Sequence, residues 1–153
     1  MPIYAKDLKD PLEHIFTYVD DDGTNTHIHA ARLREWCLKT KGLEIFNIPI
    51  SKSLARKYLV ENRVARERVQ QLTAEHLKEP MIFCKDGTFD IRGYPDVFHV
   101  DGHHRYVWHA MMKNEFALAW VLDVEQWQDF KVVGMPAITA QQLIDIPILK
   151  RNY

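Results

Sequence analysis

Cysteine is scarce in this chain of 153 residues, and the two present, Cys37 and Cys84, fall in unrelated patterns. No Cys-x-x-Cys pair, zinc finger or secreted disulfide framework can be assembled from them, so a reduced compartment is expected. The opening Met1-Pro2-Ile3-Tyr4-Ala5-Lys6-Asp7 lacks the basic start and apolar run of a signal peptide. No apolar stretch approaches the length needed to cross a bilayer. The expectation is a cytoplasmic protein with no membrane partner. Charge of one sign is also missing: 20 basic residues face 21 acidic ones. A dedicated non-specific DNA binder draws its affinity from phosphate neutralisation and carries a basic excess, so net charge does not favour DNA as a partner. Repeats, low-complexity segments and Gly/Ser-rich linkers are absent as well. What is present is ordinary for one globular domain, with 46% hydrophobic and 27% charged residues. Self-association stays open. The unusual counts are eight histidines and four tryptophans.

Residues 14–19 and 24–29 flank Asp20-Asp21-Asp22-Gly23, which predicts a hairpin whose turn tolerates left-handed backbone. Residues 30–41 have helical spacing, with Leu33, Trp36, Cys37 and Thr40 on one face and Gly42 as the stop. Residues 43–50 are apolar and β-prone around Pro49. Residues 53–58 and 65–77 predict two helices, broken near Glu61-Asn62-Arg63. Beyond Pro80, Met81-Ile82-Phe83-Cys84 predicts a short strand closed by a turn at Lys85-Asp86-Gly87. Val97-Phe98-His99-Val100 predicts a second, ending at Asp101-Gly102. Residues 103–114 have helical spacing, with Val107, Ala110 and Met111 on one face, and 116–122 predict a further strand. The sum is an α+β domain with a mixed sheet and packed helices. Residues 1–42 form its hairpin-and-helix extension, 43–123 its core, and 124–153 a docked C-terminal extension.

The sharpest local feature is Val100-Asp101-Gly102-His103-His104-Arg105. A strand end, a glycine and a helix start gather backbone N–H groups at one point, where the helix dipole favours an anion. Arg105 offers a bidentate contact to phosphate, and His103 or His104 a hydrogen bond or a mobile proton. Asp101 stands where a carboxylate could hold a metal ion or accept a proton. A plainer reading has Asp101 as a helix cap and the rest as a turn.

The order of elements widens the pattern. Glu79-Pro80-Met81-Ile82-Phe83 and Asp86-Gly87 precede the strand, the Asp-Gly-His-His-Arg turn, a helix and the strand at 116–122. Over residues 43–123 this resembles the ParB/sulfiredoxin superfamily. The form of the turn looks most like that of the free serine kinases and of phage or bacterial ParB-like proteins. The resemblance implies a ParB/sulfiredoxin-like core that binds a nucleotide, ATP or ADP with CTP as a further candidate, together with Mg²⁺. Gly102, His103, His104 and Arg105 would bind its phosphates. Asp101 would lie near the transferred phosphate and ligate the metal, with His103 and His104 at the reacting centre. The kinase branch uses an upstream glutamate as base on a substrate hydroxyl; residues 47–53 lack an acidic residue at that place, and Glu61 or Glu67, with Glu44 behind them, are the substitutes by proximity in sequence. The implied function is a phosphotransferase acting on a small hydroxyl-bearing substrate. The alternatives are a non-catalytic nucleotide- or DNA-binding module and a ParB-like nuclease. Three further departures stand out. Glu61-Asn62-Arg63 precedes the turn, where partition proteins carry such an element after it. No helix-turn-helix follows, and the turn lacks the cysteine of sulfiredoxin.

Other features read more simply. Residues 51–70 hold Lys52, Arg56, Lys57, Arg63, Arg66 and Arg68 against Glu61 and Glu67, which reads as a phosphate-tracking surface, part of a nucleotide site, or a solvated face. His27 and His29 share a strand face but find no third metal ligand. Asp20-Asp21-Asp22-Gly23 lacks the spacing of a calcium loop. Trp108, Trp120, Trp127, Phe116 and Phe130 are expected in the core.

Overall fold

The computed structural model describes residues 2–148. From the amino end come β1 (Ile3–Tyr4), a 3-10 turn, α1 (Pro11–His14), the hairpin β2 (Ile15–Val19) and β3 (Asn25–His29), and α2 (Ala30–Lys39). Next are β4 (Phe46–Pro49), α3 (Lys52–Val60), α4 (Arg66–Gln70) and α5 (Ala74–Lys78). Then follow β5 (Met81–Ile91), β6 (Tyr94–Asp101), α6 (His103–Met111) and β7 (Phe116–Leu122). The described chain closes with α7 (Val124–Trp127), a second 3-10 turn, β8 (Val132–Val133) and α8 (Ala140–Asp145).

The main sheet has the order β4-β7-β5-β6. Its central pair, β5 and β7, is parallel, and both outer pairs are antiparallel, so the expected mixed α+β architecture is present. Strand side chains alternate between faces. Met81 and Phe83 with Ala119 and Val121 serve one apolar cluster, and Ile82 and Cys84 with Trp120 and Leu122 serve another. The first cluster is completed by Tyr58 and Ala55 of α3, Val69 of α4, and Tyr106 and Val107 of α6. The second is completed by Phe16 and Ile28 of the hairpin, Leu33 and Cys37 of α2, and Trp127. A strand buried on both faces needs apolar residues at every position, which accounts for the unbroken run Met81-Ile82-Phe83-Cys84.

Four local expectations need correction. Residues 65–77 are not one helix: α4 ends at Gln70, and Thr73 opens α5 with a capping box shared with His76. A threonine whose side chain satisfies a free N–H favours a new helix start over helix interior. The second correction is at Lys85-Asp86-Gly87, which does not end the strand. Lys85 and Phe89 both register against Val97, so the intervening residues bulge out and β5 runs on to Ile91. Gly87 is required there, because a Cβ would fall 2.2 Å from the Val97 carbonyl oxygen. The other two concern burial: Met111 and Phe116 are exposed rather than core. Met111 is the last residue of α6 and Phe116 the first of β7, so apolar burial stops short of both ends.

The C-terminal segment docks, as far as it is described; residues 149–153 of the expected extension lie outside the described residues. β8 pairs in parallel with β1, placing Val132 opposite Ile3. The side-chain oxygen of Asn25 accepts a hydrogen bond from the Ile138 N–H at 2.7 Å, and α8 buries Leu143. Among the described residues, no helix is long and apolar enough to cross a membrane.

Candidate functional site

The turn at the start of α6 is shaped by a bulge and a glycine. Ile82 pairs with Asp101 while Phe83 pairs with His99, which leaves Val100 as an extra residue in β6. Such bulges re-aim the side chains beside them. Gly102 follows as the N-cap at φ +94°, a left-handed conformation that glycine adopts freely. An added Cβ would stand 2.6 Å from Cγ of Met81 and 3.0 Å from Nη2 of Arg105. The turn's side chains then part company, some entering a charged cleft and others an aromatic cavity.

The charged cleft has a volume of about 370 Å³ and is walled by Asp101, Gly102, His104 and Arg105, with Arg34 of α2, Arg68 of α4, and His76 and Glu79. Arg105 is mostly committed inside the protein. Its Nη2 donates to Oδ2 of Asp101 at 2.6 Å, and its Nη1 to the carbonyls of Glu79 at 2.7 Å and Pro80 at 3.2 Å. The guanidinium therefore clamps the entry to β5 against the turn, where sequence reasoning expected a fork aimed at phosphate. Arg34 holds the Glu79 carboxylate through two donors, Nη2 at 2.7 Å and Nε. His104 accepts from the Ala65 N–H at 3.3 Å through Nε2, which ties the α3–α4 connection to the cleft. Burial pushes the Asp101 carboxyl up, opposed by the nearby Arg105 and Arg34. Asp101 makes no side-chain cap to α6, so the helix-cap reading of that residue is not realised. Arg68 is exposed on α4 and has no ion pair among the described residues, leaving it as the cleft's uncommitted cation.

The aromatic cavity, about 310 Å³, lies between the hairpin and α3. His103 lines it with His99, Tyr58, Phe16 and Tyr18, while Glu61, Arg63, Lys57 and Asp21 stand among its lining charges. The imidazoles of His99 and His103 stack with centroids 4.0 Å apart, and Phe83 stacks on the far side of His99 at 4.1 Å. His99 donates from Nε2 to the Asp101 carbonyl at 2.7 Å, so its Nδ1 accepts from the Tyr58 hydroxyl at 2.8 Å. Burial holds the His99 pKa down, to about 3, and that of His103 well below its usual value. Both are neutral rings at physiological pH.

The expected site residues are thus divided. Asp101, Gly102, His104 and Arg105 share the charged cleft, whereas His103 and Glu61 belong to the aromatic cavity. Glu61 is bonded to Arg63 Nε at 3.1 Å and lies 3.9 Å from Lys57. Glu67 is exposed on α4 and Glu44 is exposed ahead of β4, and neither lines either cavity. Sequence reasoning missed Arg34, Tyr58 and His99, and named Arg68 only within the basic run of residues 51–70. Both arginines resemble any solvated helix charge. His99 did carry a signal, a histidine inside an otherwise apolar strand.

A nucleotide's phosphates suit the charged cleft, since Arg68, Arg34, His104 and the start of α6 could meet them there. A metal ion held by protein groups alone does not fit. No three His, Cys, Asp or Glu side chains converge among the described residues, and Asp101 is already engaged by Arg105. His27 and His29 are likewise otherwise occupied, the first with the Thr17 hydroxyl and the second with the Arg32 N–H. No protein-family model matches the chain, and comparison with curated proteins and with solved structures finds no match.

Proposed function

We propose that this chain is a nucleotide-binding domain of the ParB/sulfiredoxin type, which receives phosphate at the charged cleft in front of α6. The observation that carries the reading is the Gly102 turn. Its left-handed glycine opens the start of a nine-residue helix onto a cleft containing Arg34, Arg68 and His104. A helix start and convergent cations together attract a phosphate more strongly than either alone. Binding without turnover is the reading the geometry favours, because Glu61 sits in the other cavity and Asp101 is paired. Phosphoryl transfer to a small hydroxyl-bearing substrate is the second reading. It is supported by Asp101, whose raised pKa and position in the cleft wall suit a proton acceptor released from Arg105 during reaction.

Calorimetric titration with ATP, ADP and CTP, with and without Mg²⁺, tests the proposal. At least one nucleotide should bind. Arg68→Ala should weaken it roughly 10-fold or more, the range for loss of a charge-assisted hydrogen bond, with the melting temperature unchanged. Absence of binding by all three nucleotides would overturn the proposal. Phosphorus NMR of the same mixtures with serine, glycerol and ethanolamine as acceptors reads turnover directly. A phosphorylated product would move the second reading ahead of the first.

A further inference from the structure

We infer that the uncovered face of β4 and β7 docks a second copy of this chain, forming a two-fold dimer. The inference does not depend on the phosphate reading. Strand alternation puts Ile48, Ala117 and Ala119 on the face that α3, α4 and α6 cover. Asn47, Phe116 and Leu118 face the other way, with Ile45 just ahead of β4 continuing the alternation. On that side the hairpin and α2 cover Ile82, Trp120 and Leu122, but not the start of β7.

Apolar exposure is concentrated there. Among the described residues, nine large apolar side chains are exposed, and four of them border this face: Leu38 of α2, Ile45, Phe116 and Leu118, each 44–54% bare. Leu38, Ile45 and Trp120 share a depression of about 450 Å³, and Leu118 and Phe116 carry the stripe on from Trp120 along β7. Four half-bare side chains of this size make a patch of roughly 350 Å², within the range of functional patches on single chains. Asn47 and the charged rim bring the surface to about 500 Å² per partner, where specific interfaces begin.

Shape and charge select a second copy as the occupant. One face carries both a knob, the exposed Phe116 ring, and a socket, the depression beside Trp120. Four strand residues, about 13 Å, separate them. A two-fold axis lying in the face and crossing β7 near Leu118 sets each Phe116 over the other copy's socket. The contact is then made twice and closes on itself. The rim agrees with this rotation. Lys41 and Glu44 flank the socket end in sequence, and Lys113 and Glu115 the knob end. All four are exposed and make no ion pair among the described residues. The rotation brings opposite ends together, each offering one acid and one base to the other. A rim of one sign would instead suit an ionic partner.

Sedimentation velocity of the full chain, from about 1 to about 200 µM, tests the inference. The mass should move with concentration from the 18.0 kDa of one chain to twice that value. Phe116→Asp and Leu118→Lys change exposed positions, so each should keep the wild-type melting temperature in dilute solution while weakening the dimer about tenfold or more. Val60→Lys, at an apolar residue of α3 that is 78% exposed, should leave the dimer intact. Register is read by trapping. Phe116→Cys and Leu38→Cys chains mixed with oxidised glutathione should form a mixed disulfide, whereas Val60→Cys with Leu38→Cys should not. The native Cys37 and Cys84 are buried and do not interfere. A monomer throughout the range, association beyond two copies, a dimer that survives both stripe substitutions, or failure of the Phe116–Leu38 pair to trap would each overturn the inference.

Discussion

Two cavities meet at one turn, and they are built on opposite electrostatic principles. The charged cleft keeps ionised groups at its surface and pairs the buried ones, Asp101 with Arg105. The aromatic cavity buries histidines and neutralises them by desolvation. Adjacent residues, Gly102 and His103, belong to different sides. A five-residue motif read as one phosphate site is therefore better understood as a partition wall. Its backbone shapes the cleft, while one of its histidines is furniture of the room behind.

That contrast can be broken at the wall itself. Asp101→Ala should have the largest effect, destabilising the fold by about 3–5 kcal/mol, because it leaves the Arg105 guanidinium buried without its carboxylate. Chemical denaturation measures this, and a loss below about 1 kcal/mol would return Asp101 to the role of a replaceable cleft residue. Gly102→Ala comes next. The left-handed backbone and the 2.6 Å approach to Met81 Cγ should together cost about 2–4 kcal/mol. In any folded fraction, nucleotide affinity should fall while the ring proton signals of His99 and Tyr58 keep their positions. A shift of those signals as well would mean that the wall moves as one body.

The response to pH adds up over several groups, and it sharpens the comparison. Histidines held neutral by burial bind protons more readily once unfolded. His29, pushed to about 4, and His99, pushed to about 3, are joined by lowered values at His27 and His103. Stability should be complete above the ordinary histidine pKa of about 6.5 and decline steadily as pH falls from there toward 4. Asp101, whose pKa is raised, acts in the opposite sense over the lower part of that range. Melting temperatures across this window should fall on acidification. A flat profile would mean that these imidazoles are far less desolvated than their burial implies.

Much of the scaffold was legible because it depends on neighbours in sequence. The hairpin follows from Asp20-Asp21-Asp22-Gly23, and β7 occupies 116–122, because turn chemistry and apolar runs are local signals. The Gly102 turn was visible for the same reason. Thr73 was a legible cap that a helical apolar rhythm outweighed. What could not be read is convergence. Arg34 and Arg68 reach the cleft from α2 and α4, and Tyr58 reaches His99 across 41 positions of chain. No periodicity announces such meetings. The pairing of Asp101 with Arg105 lay within one helical turn, yet burial, which sequence spacing does not report, turned that arginine from ligand to clamp.

The parallel contact of β1 with β8 has a kinetic meaning. Ile3 and Val132 lie almost the whole described chain apart, and the small cluster they form with Ile15 stands outside both main apolar clusters. Closing so long a loop is entropically costly before any reward arrives, and the reward here is a two-residue ladder. During synthesis the first strand must wait, unpartnered, until the segment carrying Val132 has left the ribosome. This clasp is therefore expected to form late and to open early, a latch set on a house already standing.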